Sequence, residues 1–116
     1  SLQKGFGSEQ LNTCSFQEKF VACQDQVNQI WDFDETVAMV NNCDLVITSD
    51  TVTAHLAGGM GKPTWVLLST IPDWRWGINC EKSFWYPSIR LFRQSVRNNW
   101  IDVMERISQE LDNLLF

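Results

Sequence analysis

Apolar runs that alternate with amphipathic segments predict a doubly wound α/β sandwich with a mostly parallel sheet of about five strands. The clearest such pattern is at residues 44–68, where the apolar runs DLVIT and TWVLL enclose a short helical segment that ends in glycines. A second pattern of this kind lies near the end of the chain, where the apolar run IRLFRQ is followed by an amphipathic segment. Strands that alternate with helices at this spacing are joined by right-handed crossovers, so we expect them to be parallel.

The first part of the chain is predicted to hold two strands and a short helix. The opening SLQKG is typical of a strand end that enters a turn, since Gly5 and Gly7 allow backbone conformations that other residues avoid. A short helix is expected over residues 8–13 with Ser8 as its N-cap. The segment KFVACQ, residues 19–24, is the weaker strand prediction.

Three helices are predicted in the remainder of the chain. The first spans DFDETVAMVNNC, with Asp32 or Asp34 as its N-cap. The second covers about residues 51–59 between a strand at 44–48, expected at the centre of the sheet, and a strand at 64–68. Gly61 follows it and is expected in the left-handed capping conformation that stops the helix.

The closing helix follows a last strand at residues 89–94, and Asn98 or Asn99 is expected to cap it. Apolar residues spaced four and three apart are predicted to face the sheet; they are Trp100, Met104, Ile107, Leu111 and Leu114.

Length and composition limit the domain organisation. The 116 residues are enough for one core and too few for two ordinary domains, and the abrupt opening without Met suggests the C-terminal fragment of a longer protein. No apolar stretch approaches the roughly 18 residues of a membrane span, and the opening lacks the pattern of a signal peptide. We therefore expect a single domain over residues 1–116 with no membrane span.

Charge and cysteine usage narrow the functional classes. The net charge of −5 disfavours a nucleic-acid partner, which would require a basic surface. The four cysteines lack the spacing of a metal site, so no metal is predicted. Free thiols indicate a cytoplasmic location, and surface disulfides in a secreted protein are the alternative.

The turn after residues 44–48 is the candidate binding site. Ser49, Asp50 and Thr51 follow a predicted parallel strand and precede a helix, which is where open parallel sheets bind ligands. The first N–H groups of such a helix have no partners within it, and its dipole favours an anion such as a diphosphate. His55 lies one turn after Thr51 on the same helical face.

A purely structural interpretation competes with this one. Asp50 and Thr51 are common helix caps, and a single His is often just a packed or surface residue. The aromatic segments PDWRW and FWYP are expected mainly to pack their long loop against the sheet, and Arg75 either stacks on a ring or pairs with a phosphate. The simplest interpretation of Lys62, Arg90 and Arg93 is that they are solvated charges.

Taken together, DLVITSDTVTAHLAGGMGKPTWVLL, PDWRW, FWYPSIRLFRQ and the closing helix resemble the C-terminal half of a GT-B glycosyltransferase. The family is the heptosyltransferase-like family 9, in particular the branch attached to bacterial tetratricopeptide-repeat proteins, and the resemblance covers nearly the whole chain. It implies a Rossmann-like domain that binds a nucleotide-diphospho-sugar donor and needs no further cofactor. The implied partners are a missing N-terminal half, which binds the acceptor, and tetratricopeptide repeats in the same chain.

The resemblance also implies site residues. The family's Asp-Thr-Gly-x-x-His-x-Ala pattern falls on Asp50, Thr51, Val52, His55 and Ala57. The acidic residue and the helix start face the sugar and diphosphate in that family, with the histidine close by. Val52 departs from the family's Gly and would crowd the sugar, which puts a heptose donor in doubt. Lys4 resembles the family's phosphate-contacting lysine and would stabilise charge on the leaving diphosphate; the catalytic residues stay unidentified.

Two other functional classes compete with a transferase half. A binding or scaffolding domain could keep this fold, sense a nucleotide sugar for attached repeats and have lost turnover. A flavodoxin-like or response-regulator-like domain shares the alternation of strands and helices. A response regulator needs an acidic cluster at the end of its first strand, where this chain has Lys4, so that class fits least.

Overall fold

A computed structural model describes residues 1–115 and divides the chain into two compact units, one of residues Ser1–Thr36 and one that begins at Val37. The first unit contains two 3-10 helices, Ser8–Asn12 and Gln17–Lys19, and the short helix α1, Gln24–Asn28. None of the residues in these three elements is buried. Its backbone bonds are mostly local, so the first unit has little core of its own.

Both strand predictions in the first unit are wrong. No strand is described before residue 46, and the segment at residues 19–24 instead forms turns in which the Phe20 and Gln24 N–H groups donate to carbonyls three residues earlier. A strand is stable only beside a partner strand, and this unit supplies none. Gly5 and Gly7 have φ of 71° and 89°, as expected of a glycine turn, but Gly7 rather than Ser8 is the N-cap of the first 3-10 helix.

Helix α2, Phe33–Asn41, begins where its capping residue predicts. The carboxylate of Asp32 accepts a hydrogen bond of 2.8 Å from the Glu35 N–H, which satisfies one of the donors left free in the first turn. Val40 on this helix is fully buried. The predicted cap and helix are therefore confirmed.

The sheet consists of β1 (Val46–Ser49), β2 (Thr64–Leu68) and β3 (Ile89–Arg93), all parallel and in the order β1-β2-β3. The protein is thus a mixed α/β structure with a parallel sheet, but residues 1–115 hold three strands rather than about five. The central strand is β2, so the prediction that residues 44–48 are central is wrong. The reason is burial: β2 is apolar on both faces, whereas β1 leaves Ile47 and Ser49 exposed.

Both faces of the sheet are covered. Helix α3, Val52–Gly59, connects β1 to β2, and helix α4, Ile101–Leu115, follows β3. The core on one face consists of buried residues from α3, β2, the loop after β2, and β3; they are Ala54, Val66, Leu68, Trp76, Ile89 and Leu91. The core on the other face consists of buried residues from β2, β3 and α4; they are Trp65, Phe92, Val103 and Ile107.

Helix α4 is capped as predicted but turned about its axis. The Asn99 side chain accepts a hydrogen bond of 3.1 Å from the Ile101 N–H. Val103 and Ile107 are buried and Leu111 is half-buried, whereas three residues of the predicted stripe are exposed; these are Trp100, Met104 and Leu114. The ion pair between Glu110 and Arg90 and the hydrogen bond from Arg106 to the Arg93 carbonyl join α4 to β3 in this rotation. The partners on β3 cannot be identified from helical spacing alone. Within residues 1–115, none of the helices combines the length and apolar character that crossing a lipid bilayer requires.

Candidate functional site

The turn between β1 and α3 has the geometry that the sequence predicts. β1 ends at Ser49 and α3 begins at Val52, so the helix starts at the carboxyl end of a parallel strand. Thr51 is the N-cap residue in an extended conformation, and its carbonyl accepts from the Ala54 N–H at 3.0 Å. The N–H groups of Val52 and Thr53 have no hydrogen-bond acceptor among residues 1–115. These two donors are free to bind an anion.

The side chains of this turn do not cap the helix. The Thr51 hydroxyl lies 3.1 Å from the Thr48 hydroxyl and makes no bond to the helix start. Ser49 and Asp50 are exposed, and neither side chain has a hydrogen bond or ion pair to another described residue. Thr51 therefore occupies the N-cap position, but neither its side chain nor that of Asp50 makes a capping hydrogen bond. Val52 is also exposed, so its side chain flanks the turn.

His55 lies one turn further along α3, inside a cluster of aromatic residues. Its Nδ1 is 3.0 Å from the Tyr86 hydroxyl, and its ring stacks on Trp76 with centroids 5.2 Å apart and planes 26° apart. Trp76 is completely buried, while His55 and Tyr86 are half-buried. Trp76 and Tyr86 belong to the PDWRW and FWYP segments and pack the loop against α3 and the sheet, so the expected packing is confirmed for these two. The other aromatics of the two segments are exposed; they are Trp74, Phe84 and Trp85. The sequence gives no signal that pairs His55 with Tyr86, which is 31 residues away.

Gly58 allows Tyr86 to pack closely against α3. A Cβ atom on Gly58 would lie 2.6 Å from Tyr86 Cγ and 2.8 Å from Ile89 Cδ1, so no side chain fits there. Gly58 therefore contributes space, whereas Gly61, with φ of 70°, contributes the left-handed conformation that ends α3. The left-handed position predicted for Gly61 is confirmed.

Arg75 stacks on a ring, which is one of the two interactions expected for it, and its charge is paired within its own loop; pairing with a phosphate stays a prediction. Its guanidinium carbon lies 4.9 Å from the ring centroid of Trp74, and it forms an ion pair of 2.9 Å with Asp73. Asp73 is the N-cap of the 3-10 helix Trp74–Trp76 and accepts from the Arg75 N–H at 3.0 Å. This backbone hydrogen bond, together with the guanidinium, holds the pKa of Asp73 below its ordinary value against the opposing effect of desolvation.

Arg93 is a structural residue that sequence reasoning misjudged. Its guanidinium donates to the carbonyl of Trp76 and, at 3.1 Å, to the carbonyl of Cys80. It therefore ties the loop between β2 and β3 to the end of β3. Arg75 also lies in that loop, but Arg93 supplies the bonds that hold the loop's backbone.

Lys62 and Arg90 are likewise not simply solvated. The Lys62 ammonium donates to the Cys43 carbonyl at 3.0 Å. Arg90 pairs with both carboxylate oxygens of Glu110 at 2.8 and 3.0 Å, and this hydrogen bonding raises the pKa of Arg90 and lowers that of Glu110. The prediction of solvated charges is thus wrong for Lys62, Arg90 and Arg93.

Lys4 lies in the first compact unit, where its ammonium donates to the Val27 carbonyl and is 5.7 Å from the ring centroid of Trp31. Its contact with a phosphate stays a prediction. The structure brings Ser49, Asp50, Thr51, Val52 and His55 together on the start of α3. Across residues 1–115, no group of three or more His, Cys, Asp or Glu side chains is arranged to hold a metal ion.

Comparison with known proteins shows a partial likeness to a bacterial protein. Protein FlbA of Caulobacter vibrioides is 34% identical over 80 residues, which is 69% of this chain and 13% of FlbA. The chain thus spans about an eighth of the length of that relative. No family model matches the sequence. No solved structure matches it either.

Proposed function

We propose that this chain is the donor-binding half of a glycosyltransferase and that it binds a nucleotide-diphospho-sugar at the N-terminus of α3. The observation that carries the proposal is the start of α3 at the carboxyl edge of the sheet, with the N–H groups of Val52 and Thr53 unpaired. Donors so placed, together with the helix dipole, favour a diphosphate. A three-layer α/β/α arrangement around a parallel sheet supports a Rossmann-like, doubly wound assignment.

The side chains around this turn suggest separate roles. Asp50 is an unpaired, exposed carboxylate, which would repel a diphosphate but accept hydrogen bonds from sugar hydroxyls. We therefore assign it to the sugar and the backbone N–H groups to the diphosphate. The Ser49 and Thr51 hydroxyls add donors at the turn, and Val52 narrows the space for the sugar. Lys4 is proposed to neutralise the leaving diphosphate.

The proposed partners follow from the same function. An acceptor-binding half and tetratricopeptide repeats in one longer protein would complete the enzyme, in the cytoplasm where nucleotide sugars are substrates. The alternative is a domain that binds a nucleotide sugar without transferring it. A full-length protein that binds the donor and glycosylates no acceptor would favour that alternative.

Titration calorimetry with UDP, ADP and GDP tests the site. We expect at least one to bind, and Lys4→Ala to weaken it by roughly tenfold to more than a hundredfold, since a lost charged hydrogen bond costs about 1.5–3 kcal/mol. Val52→Gly should strengthen binding of the corresponding nucleotide sugar without changing binding of the bare diphosphate. Asp112→Asn changes one exposed charge on α4 and serves as the control. Absence of binding by all three nucleotides would overturn the proposal.

A mass-spectrometric assay with nucleotide sugars and candidate acceptors tests the division into halves. The chain alone is expected to bind a donor but to transfer no sugar. Transfer needs an acceptor held against the donor in a closed cleft, and such positioning accounts for about 7–11 kcal/mol of a barrier. Efficient transfer by the isolated chain would show that the acceptor site lies within it.

A further inference from the structure

We infer that Tyr86 is a positioning residue for His55: its hydroxyl donates to Nδ1, fixes the tautomer with the proton on Nε2, and leaves that proton for an anionic oxygen of a ligand at the start of α3. The nature of the ligand rests on the proposed function. The tautomer rests on contacts within the described residues alone.

Contacts hold the imidazole on two sides. Nδ1 is 3.0 Å from the Tyr86 hydroxyl, and the ring face stacks on the fully buried Trp76. Nε2 has no hydrogen-bond partner among residues 1–115. One nitrogen of His55 is thus engaged and the other is free for a ligand, and the bond made by the first decides where the proton of a neutral imidazole resides.

The direction of the hydrogen bond follows from the chemistry of the two groups. A phenol hydroxyl is a good donor, and the unprotonated nitrogen of a neutral imidazole is a good acceptor. The Tyr86 hydroxyl has no acceptor among the described residues other than His55 Nδ1. In the reverse arrangement its proton would lack a protein partner, and the bare Nε2 would repel an anion. We therefore assign the proton between the two residues to Tyr86.

The Tyr86 ring occupies a site that the fold leaves open for it. The absent side chain at Gly58 provides the space, because a Cβ atom there would overlap Tyr86 Cγ and Cδ1. Tyr86 is in turn fixed by its backbone, whose N–H donates to the Ser83 hydroxyl at 3.2 Å and whose carbonyl accepts from the Ile89 N–H. These bonds constrain the segment around Tyr86, so the Tyr86 hydroxyl is held beside His55 on α3.

His55 lies on the same face of α3 as Thr51, the N-cap residue. His55 follows Thr51 by four residues, or about one turn, so an Nε2 proton would add a side-chain donor to the free N–H groups of Val52 and Thr53. Two titratable groups of the loop between β2 and β3 interact with His55: Tyr86 through the hydrogen bond, and Asp73 through a weak charge interaction. Asp73 is already paired with Arg75, so it does not compete as the hydrogen-bond partner of Nδ1.

Nitrogen NMR of the ligand-free chain tests the tautomer directly, because the chain has a single histidine. The spectra are recorded in alkaline buffer. We expect two widely separated ¹⁵N resonances, with the proton on Nε2. In Tyr86→Phe the two resonances should move toward each other as both tautomers become populated. Trp85→Phe is the control, since Trp85 is an exposed neighbour that contacts Trp74 rather than His55.

Two results would overturn the inference. One is a wild-type spectrum with the proton on Nδ1, which decides the matter even if a variant folds poorly. The other is a folded Tyr86→Phe protein, judged by circular dichroism, whose imidazole resonances match those of the wild type.

A second titration, with inorganic diphosphate and with UDP, tests the role toward a ligand. Binding should shift the Nε2 resonance in the wild type, and Tyr86→Phe should weaken binding roughly threefold to tenfold, the effect of losing one neutral hydrogen bond. Binding that leaves Nε2 unmoved would overturn the role of His55 while the proposed function stands. Absence of binding by both probes would overturn the ligand role of Nε2 toward a diphosphate, the proposed function falls only when ADP and GDP also fail to bind, and the tautomer result still judges Tyr86.

Discussion

Substitution of Gly58 by alanine tests whether the packing of α3 against the Tyr86 segment is as tight as the structure indicates. The added methyl would lie 2.6 and 2.9 Å from two atoms of the Tyr86 ring and 2.8 Å from Ile89 Cδ1. All three separations are well below van der Waals contact. Ile89 is buried in β3 and Tyr86 is fixed by its backbone bonds, so neither neighbour can move freely.

The expected magnitude is the difference of two opposing terms. Overpacking a filled core costs about 1–3 kcal/mol. Replacement of glycine by alanine in a helix returns about 0.4–1 kcal/mol, chiefly by restricting the unfolded chain. We expect Gly58→Ala to lower the free energy of unfolding by about 1–2 kcal/mol and the melting temperature by roughly 4–12 °C.

Gly59→Ala is the matched control. Gly59 is the next residue of α3, is exposed, and has no atom within 4 Å of its built Cβ position. The same substitution should therefore stabilise the protein by up to about 1 kcal/mol. Urea titrations followed by tryptophan fluorescence measure both variants, since Trp76 is buried in the core next to Tyr86. Equal effects of the two substitutions, or a stabilised Gly58→Ala, would refute the packing argument.

Three further expectations can be measured by the same unfolding titrations. Arg93→Met should lower the free energy of unfolding by about 1.5–3 kcal/mol, because it removes charged hydrogen bonds to loop carbonyls. Arg97 is exposed, so Arg97→Met should change the free energy of unfolding by no more than about 0.5 kcal/mol. Leu68→Ala should lower the free energy of unfolding by about 2–5 kcal/mol, because Leu68 is buried in the core. Leu115 is 71% exposed, so Leu115→Ala should leave the free energy of unfolding almost unchanged. Similar losses in the two variants would contradict the assigned core. Hydrogen bonding to Arg90 lowers the pKa of Glu110 in the folded state. The ion pair therefore stabilises the fold above the unfolded-state pKa of Glu110, and this contribution is lost as the pH falls through the folded-state pKa. The wild type should therefore exceed Glu110→Gln in stability at pH 7 and lose that advantage in acid, and a difference that persists at pH 2 would exclude this mechanism.

Several features of the fold are predictable because their causes are local. Asp32 and Asn99 accept bonds from N–H groups two or three residues away, and Gly61 ends α3 through its own backbone conformation. The apolar run at residues 64–68 forms a strand because all of it can be buried on a parallel sheet. Such interactions act within a few residues, so a sequence pattern contains both partners.

The misjudged features depend on partners far away in the chain. The order β1-β2-β3 is decided by which strand buries both faces, and the rotation of α4 by side chains on β3. The strands expected near Lys4 and at residues 19–24 do not form because no partner strand lies beside them. Arg93 belongs to this group, since its partners are backbone carbonyls that carry no sequence signal.

The sequence by itself determined the strand, turn and helix that place Ser49, Asp50 and Thr51 at the edge of a parallel sheet, because alternation, capping and glycine conformation act along the chain. Only the tertiary structure decided that the turn's side chains leave the first N–H groups of α3 free and that His55 meets Tyr86 and Trp76. Those contacts join residues 21 and 31 positions apart, where the free energy of packing, rather than local backbone preference, selects the neighbours.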